Sequence, residues 1–215
     1  MNNKKPFSRK WNPFIYAEVS KKAKQQRKLS RLRIRNITNG LTMPEIFNVP
    51  ICGAKRMEAA ILFFDLKDFT VISSKMTNED VLYILNSIIP PLLLIIRHWN
   101  GEVEKNTGDG LMAIFGTEKR DSYLIARDAI EAAMAMRYVM LNNVTDSFLA
   151  ESMPLFNFRI GIDMQEVLIS RIGVENVNHL VVVGDAANRA SKLQELAEDN
   201  GICIFEADAV QTRAF

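Results

Sequence analysis

A continuous apolar run at residues 59–66, interrupted only by Asp65 near its end, has the length and pattern of a strand buried on both faces. Thr77-Asn78-Glu79 caps the next segment, where Val81, Leu82, Ile84, Leu85, Ile88 and Ile89 recur at helical spacing. Pro90-Pro91 is expected to break or kink that helix before the apolar run resumes and stops at Asn100-Gly101. Residues 102–116 read as two short strands joined at Thr107-Gly108-Asp109-Gly110, where glycine supplies the positive φ angles of a tight turn. Residues 122–140 form a second amphipathic helix with a small-residue face of Ala126, Ala129, Ala132, Ala133 and Met136. Alternating runs at 156–162 and 166–170 predict a second hairpin, and 179–183 another buried strand. Gly184-Asp185 opens a helix over about 186–197, and 202–205 is a last short strand. The order β-α-α-β-β-α-β-β-α-β predicts an α+β sandwich with its helices on one face of the sheet.

Length allows one sizeable domain and an extension: 215 residues, divided as a basic arm and linker at 1–55 and a domain at 56–215. Charge sharpens that division. Residues 1–36 hold twelve Lys and Arg against the single acid Glu18, leaving 15 basic and 24 acidic residues beyond, a net of −9. Such an arm can meet nucleic acid or an anionic membrane, or lie against the acidic domain or a partner subunit. Its segment 11–35 has few apolar positions and no clear amphipathic face. No run of eighteen apolar residues, no signal-peptide pattern and only two cysteines, Cys52 and Cys203, make cytoplasm the default expectation.

Chemistry enters through two carboxylates. Asp65 ends a buried strand and Asp109 sits on a hairpin tip; an isolated Gly-Asp-Gly turn is otherwise an ordinary turn former. If the two strands are neighbours, the carboxylates converge at one sheet end. Two such acids repel unless a cation lies between them, and hard oxygen ligands suit Mg²⁺ or Mn²⁺.

Four ordered motifs turn this pairing into a family resemblance. They are Phe63-Phe64-Asp65-Leu66-Lys67-Asp68-Phe69-Thr70, then Lys105-Asn106-Thr107-Gly108-Asp109-Gly110, then Arg159-Ile160-Gly161-Ile162, and last Gly184-Asp185-Ala186-Ala187-Asn188-Arg189-Ala190-Ser191-Lys192-Leu193. Together they resemble the catalytic core of class III nucleotidyl cyclases over about residues 58–208. The resemblance implies a ferredoxin-like βαβ-βαβ sandwich and two divalent ions, Mg²⁺ or Mn²⁺, held by Asp65, Asp109 and the carbonyl of Leu66. It implies that backbone amides of residues 67–70, including Phe69 and Thr70, meet triphosphate oxygens. It further implies a head-to-tail homodimer in which Asn188 orients the ribose and Lys192 stabilises charge on the α-phosphate.

The departures carry information of their own. Asp68 replaces a family glycine, Lys192 the family arginine, and Asp163-Met164-Gln165 the usual His-x-Gly. The family's last hairpin, which often brings a phosphate-binding lysine, is not reached by Phe215. Lys105 matches a lysine that meets the base. Val181, three before Gly184, stands where adenylate-forming members accept from an exocyclic amine, and it has no acceptor. This pocket resembles that of the bacterial pyrimidine cyclases of the anti-phage system Pycsar, whose product a separate effector reads. Uracil offers a carbonyl where cytosine offers an amine, so UTP is favoured over CTP. The expectation is a uridylate cyclase. The alternatives are a cytidylate cyclase, an adenylate or guanylate cyclase, and a non-catalytic nucleotide-binding module.

Overall fold

The computed structural model describes residues 54–106, 108–116, 121–174, 177–205 and 213–214, together with Lys21. Apart from Lys21, the basic arm therefore lies outside the described residues. The first strand, β1, spans Ala54–Leu66, five residues longer than the apolar run and reaching into the segment read as linker. A short helix α1 (Phe69–Ser73) and the long helix α2 (Asn78–His98) follow. Then come the hairpin strands β2 (Gly101–Asn106) and β3 (Gly110–Phe115). Helix α3 (Ser122–Tyr138) runs on through a π-helical stretch, Val139–Val144, into α4 (Thr145–Ala150). Strands β4 (Phe158–Val174) and β5 (Val177–Val183), helix α5 (Asp185–Leu196) and strands β6 (Gly201–Ile204) and β7 (Arg213–Ala214) complete the order.

One mixed sheet organises these elements. Its order is β2-β3-β1-β4-β6-β7, with β5 pairing the far end of β4. β1 lies between β3 and β4, antiparallel to both, with Asp65 opposite Gly110 on one side and Arg159 on the other. Alternate residues of β1 enter two separate cores. Ala60, Leu62 and Phe64 pack with α2 and α3, while Ala59 and Ile61 pack with Ala186 and Ala190 of α5. Helix α5 thus occupies the opposite face from α2 and α3, which corrects the expectation of helices on one face.

Two further expectations are corrected. The prolines do not break α2: Pro90 and Pro91 both lie inside one continuous helix. Ile84 and Ile88 before them and Leu92, Ile95 and Ile96 after them are all buried in one cluster, so burial on both sides holds the axis across the lost backbone bonds. The helix start is as read, with Thr77 Oγ1 accepting from the Asp80 amide at 3.2 Å. Nor is there a hairpin at residues 163–165. β4 runs straight through, because β1 offers an unbroken ladder from Leu66↔Phe158 to Ala54↔Ser170. Asp163-Met164-Gln165 contains no glycine to turn the chain, and β4 instead turns back into β5 beyond Val174.

α2 is the one helix among the described residues long and apolar enough to cross a membrane by length and composition. Here its apolar side forms the centre of the larger core.

Candidate active site

The β1–β3 register builds the site. Asp65 pairs with Gly110, so Asp109, immediately before Gly110, shares its end of the sheet. The turn reaches that position through Gly108, whose φ of +101° is open to glycine at no steric cost. Both carboxylates are half-buried. Burial, and then the charge of Asp109, raise the Asp65 carboxyl above its usual range, with Arg159 acting in the opposite sense. The site therefore concentrates negative charge that the neighbouring guanidinium does not cancel. Two convergent carboxylates and the adjoining Leu66 carbonyl form an all-oxygen donor set of the kind Mg²⁺ or Mn²⁺ takes with water and phosphate completing the shell. Among the described residues no cluster of three or more Asp, Glu, His or Cys exists to hold an ion without such help.

Beside the acids, the chain turns sharply into α1. Asp68 adopts a left-handed conformation, φ 57° and ψ 17°, as the residue capping α1. A glycine fits that backbone best and an aspartate tolerates it, which is a conformational reason for both residue types at this position. Phe69 is buried and packs on Phe156 at 5.3 Å between ring centroids, anchoring the turn, while Thr70 is exposed. The amide of Lys67 is already used: it donates to the Asn157 carbonyl at 2.8 Å. Lys67 Nζ pairs with Asp199 at 2.7 Å. The amides assigned to triphosphate are thus reduced by one, leaving those from Asp68 onward.

Arg159, part of the third motif, has a place beside Asp65 that the motif alone does not reveal. Half-buried opposite Asp65, it donates through Nη1 to the Glu195 carbonyl at 3.1 Å, and its Nε is buried without a partner. Its guanidinium places positive charge next to Asp65, acting against the rise of that carboxyl. The signal in the sequence was an arginine within the apolar run 158–162.

The other expected residues lie elsewhere. Lys105 is on β2, opposite Met112 and just past an irregularity in the ladder between Val103 and Lys105. Val181 is half-buried on β5, opposite Ser170. Asn188 and Lys192 are exposed, one turn apart on the outer face of α5, whose inner face carries Ala186, Ala190, Leu193 and Gln194. Glu195 marks where α5 passes Arg159 and hence Asp65. Asn188, seven residues earlier, is on the order of 10 Å back along the helix at about 1.5 Å per residue. One chain therefore brings Asp65, Leu66 and Asp109 together with Phe69, Thr70 and Arg159. Asn188 and Lys192 lie on the exposed side of α5.

A mixed sheet of this order with two acids at one end, backed by a helix bearing an outward Asn and Lys, defines a nucleotide-cyclase catalytic domain. The chain belongs to the family described as the adenylate and guanylate cyclase catalytic domain, whose profile matches residues 54–211. Among its relatives is a cytidylate cyclase of Staphylococcus aureus, 29% identical over 148 residues, which cover 67% of this chain and 35% of that protein. Another is a cytidylate cyclase of Escherichia coli, 26% identical over 165 residues, covering 74% of this chain and 36% of that protein. A terminal-differentiation-specific adenylate cyclase of Dictyostelium discoideum is 31% identical over 159 residues, covering 71% of this chain and 7% of that one. The chain thus matches about a third or less of the length of these relatives. Among solved structures, the guanylyl cyclase Cya2 aligns with a TM-score of 0.66 at 26% identity, covering 71% of this chain and 76% of that chain. The adenylyl cyclase CyaB from P. aeruginosa gives 0.67 at 24%, covering 70% and 78%, a likeness of fold.

Proposed function

We propose that this chain is a pyrimidine nucleotide cyclase, converting UTP to 3′,5′-cyclic UMP and pyrophosphate in the cytoplasm, as a homodimer. The observation that carries the reaction class is the β1–β3 register that sets Asp65 beside Asp109, with Arg159 adjoining. In the reaction the ribose 3′-oxygen gives up its proton and bonds the α-phosphorus, while the bond from that phosphorus to the bridging oxygen breaks and pyrophosphate leaves. Asp65, Asp109 and the Leu66 carbonyl would hold two divalent ions, which when bound lower the pKa of the 3′-hydroxyl and neutralise triphosphate charge.

The remaining roles belong to the chain. Amides of Phe69 and Thr70 donate to phosphate oxygens, and the Arg159 guanidinium sets positive charge beside the departing pyrophosphate. Asn188 fixes the ribose so that its 3′-oxygen faces phosphorus. Lys192 places its ammonium against the α-phosphate as a point charge, without the planar fork of an arginine. Exposed on the outer face of α5, Asn188 and Lys192 serve a second copy of the chain, and each site draws on both protomers.

The base follows from Val181 and Lys105. Val181 offers no acceptor to an exocyclic amine, and Lys105 offers a donor to a carbonyl. That combination favours uracil. Cytosine is the second reading, supported by two relatives named cytidylate cyclases. The product would act as a second messenger in anti-phage defence, read by a separate effector. A binding-only module is the reading that the departures at Lys192 and Asp68 favour. Incubating the protein with Mn²⁺ and each of the four ribonucleoside triphosphates decides among these. Cyclic UMP is the expected main product; cyclic CMP selects the second reading. A purine product alone overturns the pyrimidine assignment, and tight binding without pyrophosphate release overturns catalysis.

A further inference from the structure

One carboxylate in the domain lies deep beneath a helix and outside the site described above. Asp163, in the middle of β4, has a side chain only 1% exposed. It occupies a departure from the family's His-x-Gly and sits on the face of the sheet where Ile61, Ala186 and Ala190 pack. Its partner is Arg189 of α5, whose Nε donates to Asp163 Oδ2 at 2.8 Å. The Arg189 guanidinium also lies over the Phe205 ring, 4.4 Å from the centroid. The pair thus ties together β4, α5 and the residue that follows β6.

The rest of the α5 contact is close and apolar, with Ala186 and Ala190 packed among Ile61, Val167 and Ile169. A side chain at Gly161 would put its Cβ 2.1 Å from the Ala190 carbonyl and 2.3 Å from the Gln194 amide, so only glycine lets the helix sit this near. Alanine against glycine gives proximity without resisting a slide or a rotation, since neither residue has a projecting group to interlock. A charged, directional hydrogen bond does resist, because a displacement of one ångström breaks it while burying the charge. Arg189 adjoins Asn188 in the chain and is three residues from Lys192. Near the far end of the helix, Arg159 reaches up to the Glu195 carbonyl, so α5 is fastened to β4 at two levels by arginines pointing in opposite directions.

We propose that Asp163 and Arg189 are positioning residues: their ion pair sets the register of α5 on the sheet, and thereby the placement of Asn188 and Lys192 against substrate held by the other protomer. The inference rests on the proposed roles of those two residues. Neither Asp163 nor Arg189 touches substrate in this scheme. Misplacing groups that orient the reacting ribose by about an ångström costs on the order of a hundredfold in rate.

The test uses the full chain as wild type, Asp163→Asn, Arg189→Gln and Arg189→Lys, with two readouts. First, amide hydrogen exchange compares α5 with α2 in the metal-free protein. We expect exchange in α5 to speed at least about tenfold in Asp163→Asn and Arg189→Gln while α2 stays protected. Second, with the triphosphate that wild type turns over fastest, kcat should fall roughly ten- to a hundredfold with KM within about threefold. Arg189→Lys, which keeps the charge but not the fork, should recover part of that loss. Unchanged α5 exchange in folded Asp163→Asn or Arg189→Gln overturns the inference, as does a kcat within twofold of wild type. A loss of protection spread equally over α2 and α5 marks the pair as general fold support and also overturns it. If wild type turns over no nucleotide, the proposed function fails, and the exchange comparison still decides whether the pair holds α5.

Discussion

Asp65 is held in an unfavourable state by its own surroundings, and this has a consequence that can be measured without substrate. Its carboxyl is raised by burial and by Asp109, so between the ordinary carboxylate value and the raised one the folded chain binds more protons than the unfolded chain. Stability of the metal-free protein therefore falls as pH rises through that window, and this contribution is recovered on acidification. Asp65→Asn should remove the cost: its melting temperature at neutral pH, without divalent ions, should equal or exceed that of wild type. Added Mn²⁺ should raise the wild-type melting temperature and leave Asp65→Asn unmoved; an equal rise in both would remove Asp65 from the ion site. Asp109 occupies a turn tip with few packing duties, so Asp109→Ala should leave the fold intact. Turnover should drop about a thousandfold or more, the kinetic equivalent of several kcal/mol of lost transition-state stabilisation. At residue scale the sequence was most legible, because both acids sit in local patterns whose spacing fixes their place on a strand end and a turn. Arg159 was quoted within a motif yet given no task, since its meaning depends on what lies opposite it in the ladder.

Elements were legible where their signal was local. The cap at Thr77, the hairpin around Gly108 and Asp109, and the helix opened by Gly184 all stand close to where their residues placed them. They failed where a neighbour in space overruled the local preference. Pro90 and Pro91 should stop a helix, yet the apolar residues on both sides are buried in one core and carry α2 through. The expected turn at residues 163–165 gave way to β1, a strand long enough to pair with β4 throughout. The close seating of α5 on Gly161 belongs to this scale and yields a direct test. Gly161→Ala drives a methyl into the backbone of the helix, and overpacking of this kind should cost about 2 kcal/mol or more, read as a lower midpoint in denaturant unfolding. A midpoint equal to wild type would mean that α5 can stand off the sheet, which would also weaken the placement of Asn188.

In the proposed homodimer the molecule contributes half of a site on each of two surfaces. One end of the sheet carries the carboxylates and Arg159, and the outer face of α5 carries Asn188 and Lys192. Two copies in head-to-tail contact satisfy both surfaces at once. Asp109→Ala and Asn188→Ala chains, each nearly inactive alone, should therefore recover activity when refolded together. Random pairing gives half heterodimers with one intact site of two, hence roughly a quarter of wild-type activity in a two-fold dimer. Absence of recovery at concentrations where wild type is dimeric would place a complete site within one chain.

By itself the sequence determined the kinds of element, the two acids and the family, because strand burial, helix capping and glycine turns are written in residues a few positions apart. It also exposed the altered positions, Asp68, Asp163 and Lys192, as departures. Only the tertiary structure decided what those departures do. It gave Asp68 a left-handed turn, Asp163 a buried partner in Arg189, and Arg159 a place beside Asp65. It put α5 on the face opposite the other long helices, with Asn188 and Lys192 on its exposed side. Each of these depends on contacts between residues far apart in the chain, and such contacts are set by sheet register and helix packing, which no local run of residues encodes.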